Sequence, residues 1–247
     1  MVRASFRFFA ELNDFLPPRE RGQRVGHACP PDASVKHMIE ALGVPHTEVQ
    51  RILVNGAAAG FGHRLQDGDE VAIYPAAGAE EGAVLLRPPQ PDPPRFIADA
   101  HLGQLAKYLR MLGFDVLYRN DYDDAEVARI AAADNRIVLS RDRDLLIRKE
   151  ILHGCYLHAV DTDAQIAEVV ARYRLAASAR ALTRCLGCNG LLRKVEKDKV
   201  EHRVPAHSRS AHERFFECEA CLQVYWEGSH VARMRRRVAA MLGEEKS

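Results

Sequence analysis

The 247 residues exceed the roughly 100–150 of one compact domain, and a 47% hydrophobic content is enough to build more than one core. Formal charge is nearly balanced at +1, but residues 182–247 carry thirteen Lys and Arg against nine Asp and Glu, which makes that end the expected polyanion contact. No apolar run approaches the roughly 18 residues of a membrane span, and the first ten residues lack a basic-then-apolar signal layout, so a soluble cytoplasmic protein without a membrane partner is expected.

In chain order, strands are expected at Ser5–Ala10 and Arg51–Asn55, a helix at Ser34–Leu42, and a last strand at Glu70–Tyr74 entered by the turn Asp67-Gly68-Asp69. These make a small α+β unit over residues 1–78. Residues 79–94 contain Glu80-Glu81-Gly82 and then Pro88-Pro89-Gln90-Pro91-Asp92-Pro93-Pro94, which sustains neither a helix nor a central strand and reads as an interdomain linker. Over residues 95–181 strands alternate with helices. The expected strands are Arg95–Ala98, Asp115–Tyr118, Ile137–Leu139 and Cys155–Val160. The expected helices are Leu102–Leu112, Ala125–Ala133, Leu145–Leu152 and Ala164–Tyr173. Such alternation argues for an α/β unit, a mostly parallel sheet flanked by helices. Residues 182–247 form a third unit that ends in a helix, Val231–Leu242, carrying Arg233, Arg235, Arg236 and Arg237.

Six cysteines in a chain this long, four of them in two C-x-x-C pairs, suit metal binding in a reducing compartment better than a disulfide framework. Cys185-Leu186-Gly187-Cys188 and Cys218-Glu219-Ala220-Cys221 are the two knuckles that would give zinc four thiolates in a closed structural site. Each sits on a short turn whose backbone N–H groups can point at the sulfurs and offset their charge. Cys29 and Cys155 are left over and are expected to be buried thiols.

In an open parallel sheet, ligands bind beyond the carboxyl ends of the strands, and here acidic residues follow every expected strand. Asp99 follows the first, Asp121, Asp123, Asp124 and Glu126 the second, Asp142 and Asp144 the third, Asp161 and Asp163 the fourth. Carboxylates converging on one rim need a cation to be tolerable, and hard oxygen donors favour Mg or Mn. Such an ion can activate water against a phosphodiester. The plainer alternative is turn and N-cap chemistry, which Asp124, Asp142 and Asp163 could each serve. Asp99 sits in Ile97-Ala98-Asp99-Ala100, with no turn residues around it, and there the ligand reading is the stronger. Lys107, Tyr108 and Arg110 on the following helix, with Arg141 and Arg143 interleaved among Asp142 and Asp144, are what a phosphate backbone would need beside such a rim. A solvated helix face is the competing account of Lys107 and Arg110, and His101 is also readable as a helix-start residue.

Residues 95–113 (Arg95-Phe96-Ile97-Ala98-Asp99-Ala100-His101-Leu102 onward), Ile137 through Leu146 with Ser140-Arg141-Asp142-Arg143-Asp144, the knuckle Cys185–Gly190, and Val224-Tyr225-Trp226-Glu227-Gly228 resemble the Mut-seven C-terminal RNase domain family. The resemblance implies a PIN-like nuclease with an appended zinc ribbon, cleaving RNA with a metal held by Asp99, Asp142 and Asp144. A further acid would come from the helix after the second strand, where both Asp124 and Glu126 qualify. Phe9–Leu16, Val54-Asn55-Gly56 and Leu65–Pro75 resemble the ubiquitin-like β-grasp module found ahead of this family, similar to the sulfur carriers of thiamine and molybdopterin synthesis. Those carriers end in a free Gly-Gly, whereas this chain continues through Gly78-Ala79-Glu80-Glu81-Gly82, which favours a binding or positioning role with a protein partner. The expected whole is a metal-dependent RNase with RNA contacts at Lys107, Arg110, Arg141, Arg143, Arg235, Arg236 and Arg237. The alternatives are an RNA- or ribosome-binding adaptor that keeps the fold and the zinc, or a sulfur-carrier-like partner protein.

Overall fold

The computed structural model describes residues 2–75 and 84–243, so positions 79–83 of the expected linker lie outside the described residues. The elements of the first part are β1 (Val2–Phe8), β2 (Val25–Cys29), α1 (Val35–Ala41), β3 (Arg51–Val54), β4 (Ala57–Ala58) and β5 (Glu70–Tyr74). Then come β6 (Arg95–Ala98), α2 (Gly103–Met111), β7 (Asp115–Leu117), α3 (Asp124–Asp134), β8 (Ile137–Ser140), α4 (Arg143–Ile147), β9 (Gly154–Tyr156) and α5 (Thr162–Arg172). The last part holds β10 (Leu192–Val195), α6 (Lys197–Val200), α7 (Ala206–Ala211), β11 (Phe215–Cys218), β12 (Val224–Trp226) and α8 (Ser229–Leu242). The chain divides into two compact units, residues 1–90 with 124–156, and residues 91–123 with 157–247.

The first unit opens with a β-grasp-like sheet ordered β2-β1-β5-β3-β4, in which β1 and β5 are parallel and the other pairs antiparallel. Along β1 the side chains alternate, Ala4, Phe6 and Phe8 inward and Arg3 and Arg7 outward, as a sheet with one covered face requires. Helix α1 covers that face. Its Ser34 cap accepts from the His37 N–H at 3.2 Å, and Val35, Met38 and Ile39 enter a core with Phe6, Leu12, Ile52 and Ile73. The same unit holds α3 and the parallel pair β8–β9, in which Val138, Leu139 and Ser140 face Gly154, Cys155 and Tyr156. Arg87, within the expected linker, is anchored here: its guanidinium donates to the carbonyls of Thr47 (2.7 Å), His46 (3.0 Å) and Val49.

The second unit contains the parallel pair β6–β7, helices α2 and α5, and the antiparallel sheet β10-β11-β12. Phe96, Ile97 and Ala98 are fully buried in succession, the signature of a parallel strand covered on both faces. Gly113 ends α2 with φ +95°, and a Cβ there would meet the Arg180 carbonyl oxygen at 2.1 Å, so only glycine permits this approach. The α/β class with a parallel sheet, a β-grasp-like start and a terminal cysteine cluster thus agrees with the expectation from sequence. Several element bounds differ by a few residues, β1 among them at Val2–Phe8 where Ser5–Ala10 was expected, and two elements end well short for a visible reason. The helix expected at Leu145–Leu152 runs Arg143–Ile147, because Asp142 caps it early and Arg148 leaves helical dihedrals. The strand expected through Val160 stops at Tyr156, because Glu168 accepts the N–H groups of His158 and Ala159 and Gln165 donates to the carbonyls of Ala159 and Val160, replacing a ladder with local side-chain bonds.

Candidate functional site

Cys185, Cys188, Cys218 and Cys221 place their sulfurs all within 4.8 Å of one another. The two knuckles repeat one hydrogen-bond pattern. The N–H of Cys185 donates to Gly190 O (2.8 Å) and that of Asn189 to Cys185 O (3.0 Å), while the Cys188 N–H points at Cys185 Sγ (3.5 Å). In the second knuckle the N–H of Cys218 donates to Gln223 O (3.0 Å), that of Leu222 to Cys218 O (3.0 Å), and that of Cys221 to Cys218 Sγ (3.5 Å). Asn189 and Leu222 occupy equivalent positions with φ +74° and +62°. Asparagine tolerates that region readily and leucine only under constraint, so the second turn is held by its surroundings.

The donor set fits a soft tetrahedral ion. Cys188 Sγ lies 3.3 Å from Cys218 Sγ and Cys185 Sγ 3.7 Å from Cys221 Sγ, close to the ~3.8 Å edge of a tetrahedron with ~2.3 Å zinc–sulfur bonds. Gly190 leaves the room: a Cβ would lie 2.7 Å from Cys218 Sγ and 2.9 Å from the Ala220 Cβ. Four sulfurs this close cannot all ionise without a cation. Burial raises the Cys185 thiol, but the Tyr225 hydroxyl, 3.1 Å from its sulfur, and the Cys188 and Gly187 N–H groups outweigh burial and bring it down to about 6. Cys188 is pushed up to about 12, first by burial and then by the neighbouring sulfurs. A divalent ion held by the four sulfurs would favour their thiolate forms. The four cysteines could bind zinc, and the arrangement is consistent with a zinc ribbon.

Around the first knuckle the unit is stitched together by groups that sequence reasoning missed or misassigned. Asn189 Oδ1 accepts the Val116 N–H (3.0 Å) and its Nδ2 donates to Asp115 (2.8 Å), which ties the knuckle to β7. Arg110, expected to meet RNA phosphates, is only 4% exposed. Its Nε donates to Val116 O (3.0 Å) and its Nη1 to the carbonyls of Leu186 (3.2 Å) and Gly187 (2.8 Å). This corrects the sequence expectation: three carbonyls already take up the guanidinium fork, so it braces the knuckle and does not face solvent. Burial draws its pKa below the ordinary guanidinium value, opposed first by the sulfurs of Cys185 and Cys188.

The expected acids fall in both units. Asp99, partly exposed, lies in the second unit directly after β6 and makes no capping bond to the turn Ala100–Leu102 that it begins. Asp124, Glu126, Asp142 and Asp144 lie in the first unit, Asp124 and Glu126 in the first turn of α3. Asp142 does cap α4, its Oδ1 accepting from the Asp144 N–H (2.8 Å) while its own N–H donates to Ser140 Oγ (2.9 Å). Asp161 caps α5 through the Ala164 N–H (2.9 Å), and Asp121 is held by Arg119. Among the expected RNA contacts, Lys107, Arg141, Arg143, Arg235 and Arg236 are exposed. Arg235 pairs with Glu227 (2.6 Å), and Arg237 pairs with Asp163 and lies 4.3 Å over the Tyr108 ring. Cys29 and Cys155 are buried thiols, as expected.

Comparison with known proteins matches residues 94–238 to the Mut7-C RNAse domain family and residues 1–80 to the Mut7-C ubiquitin family. Among solved structures the chain is similar to the small archaeal modifier protein 1 of H. volcanii, at 23% identity and a TM-score of 0.26 over 31% of this chain and 100% of that one. It is also similar to a putative molybdopterin converting factor, subunit 1, from Pyrococcus furiosus, at 21% identity and a TM-score of 0.26 over 31% and 100%. None of the curated proteins compared matches the chain. No described helix is long and apolar enough to cross a membrane.

Proposed function

This chain belongs to the Mut7-C RNAse domain family, and from that membership we propose that it is a metal-dependent ribonuclease hydrolysing RNA phosphodiester bonds. The observation that supports the metal site best is the position of Asp99, which follows β6 at once and is partly exposed. Asp142 and Asp144, exposed after β8, supply hard oxygens of the same kind. In this reading Asp99, Asp142 and Asp144 hold Mg or Mn, with Asp124 or Glu126 as the further acid. An ion held by these carboxylates would supply an activated water and stabilise charge on the leaving oxygen. Lys107, Arg141, Arg143, Arg235, Arg236 and Arg237 neutralise phosphates and set the register of the strand without reading its bases. Zinc at Cys185, Cys188, Cys218 and Cys221 is structural, since four thiolates close its coordination. The site of action is the cytoplasm, where free thiols persist.

One observation favours a second reading. The Asp142 carboxylate already caps α4, as a purely structural aspartate would, and an RNA- or ribosome-binding adaptor would need no more of it. Incubating the purified chain with single-stranded and structured RNA, with Mn²⁺ or with chelator, separates the two. Metal-dependent cleavage supports the nuclease; binding without cleavage under any divalent ion supports the adaptor.

A further inference from the structure

The ubiquitin-like domain and the segment bearing Asp142 and Asp144 belong to one compact unit, joined by bonds that leave little slack. The 3-10 turn His46–Glu48 is buried, its residues 4%, 0% and 2% exposed. Arg87 clamps this turn from behind through the three carbonyls of His46, Thr47 and Val49. In front, His46 Nε2 donates to the Ile151 carbonyl (2.9 Å), and the Glu48 carboxylate accepts the Tyr156 N–H (2.8 Å). β9 approaches so closely that a Cβ on Gly154 would lie 3.0 Å from Thr47 Cβ and 2.7 Å from Leu146 Cδ2. Tyr156 then packs its ring edge-on against Phe15, 4.9 Å between centroids.

These contacts continue toward the acids. Tyr156 faces Ser140 in the parallel pairing of β9 with β8. Ser140 Oγ accepts the Asp142 N–H, and Asp142 Oδ1 accepts the Asp144 N–H. β9 pairs with β8 on one side, so a Tyr156 N–H aimed away from that ladder needs another acceptor, and a buried carboxylate is a strong one. We propose that the ubiquitin-like domain is a built-in positioning module, in which Glu48, seated by Arg87, fixes β9 and through it the β8–α4 turn that carries Asp142 and Asp144. Glu48 and Arg87 are positioning residues, acting through the backbone groups they bond. The family's accessory domain is then a part of the nuclease and not a tethered passenger. Its catalytic consequence rests on the ribonuclease reading; its structural content does not.

The test uses the full chain as wild type, Glu48→Ala and Glu48→Gln, with Arg3→Ala on the outer face of β1 as a control. Amide hydrogen exchange is followed by residue. Glu48→Ala should lose protection at Tyr156 and also across residues 140–147, while Glu48→Gln, whose amide oxygen still accepts from Tyr156, and Arg3→Ala should keep it. In Mn²⁺-dependent RNA cleavage, kcat of Glu48→Ala should fall roughly tenfold to a hundredfold, with KM nearly unchanged and with recovery in Glu48→Gln, as misplaced catalytic groups behave. If Glu48→Ala does not fold, Arg87→Ala removes the clamp while keeping the buried acid, and the same readouts apply. Exchange that rises at Tyr156 but stays unchanged over 140–147 overturns the proposal. Exchange that rises in both places in a chain that cleaves no RNA supports the positioning role and removes the nuclease reading instead.

Discussion

The Tyr225 hydroxyl lies 3.1 Å from Cys185 Sγ and leads the groups that lower that thiol's pKa against burial. A donor at that distance compensates a thiolate and orients it, as groups bonded to metal ligands commonly do. Tyr225→Phe should therefore keep one zinc per folded chain at saturating metal but weaken zinc affinity about 10-fold or more. Competition with a chromophoric chelator measures this, and an affinity equal to wild type would leave the hydroxyl without a role at the site.

Arg110 and Asn189 are expected to act on stability and not on RNA. Asn189→Ala strands the buried Val116 N–H and should cost about 1–3 kcal/mol. Arg110→Ala releases the carbonyls of Val116, Leu186 and Gly187 and should lower the melting temperature, while the salt dependence of RNA binding stays at the wild-type slope. A shallower salt slope in Arg110→Ala would restore it to the phosphate contacts.

The contrast between Arg110 and the cysteines shows what a sequence carries. Two C-x-x-C pairs announce a possible metal-binding cluster by spacing alone, because a four-residue turn brings its own sulfurs together wherever the chain takes it. Runs such as Phe96-Ile97-Ala98 likewise declare a strand buried on both faces. Arg110 depends on distant partners at 186 and 187, which no local pattern predicts, and a helix-face arginine is ordinarily exposed. The docking of the turn His46–Glu48 onto Ile151 and Tyr156 is invisible for the same reason, since it spans about a hundred residues of chain. Strand β2, Val-Gly-His-Ala-Cys, lacks β-propensity of its own and forms by pairing with β1. The carboxylates were legible as positions after strands. The cap role open to Asp142 was legible too, and the use of Asp163 as an ion-pair partner was not.

His153 is 1% exposed with neither ring nitrogen hydrogen-bonded, and burial, followed by the charge of Arg87, lowers its pKa from 6.5. A base whose folded pKa lies below its unfolded value is neutral in the fold and binds its proton on unfolding. The stability it permits is complete above about pH 6.5 and is lost as pH falls from there toward the folded pKa. Melting temperature should accordingly drop more steeply below pH 6.5 in wild type than in His153→Leu, which has nothing to protonate at that position. Parallel melting curves for the two proteins against pH would show that the ring does not titrate with folding.

A metal-dependent ribonuclease of this design requires Asp99 and Asp142 as ligands of its catalytic ion. Changing either to Asn preserves volume and removes a negative charge that the cation needs. The deciding measurement is Mn²⁺-dependent RNA cleavage by wild type, Asp99→Asn and Asp142→Asn, each paired with a melting curve recorded without metal. Cleavage is expected to fall by orders of magnitude in both variants, with melting unchanged or higher as repulsion among the acids is relieved. Unchanged cleavage per folded molecule in both variants, or no cleavage by wild type with either Mn²⁺ or Mg²⁺, would contradict it.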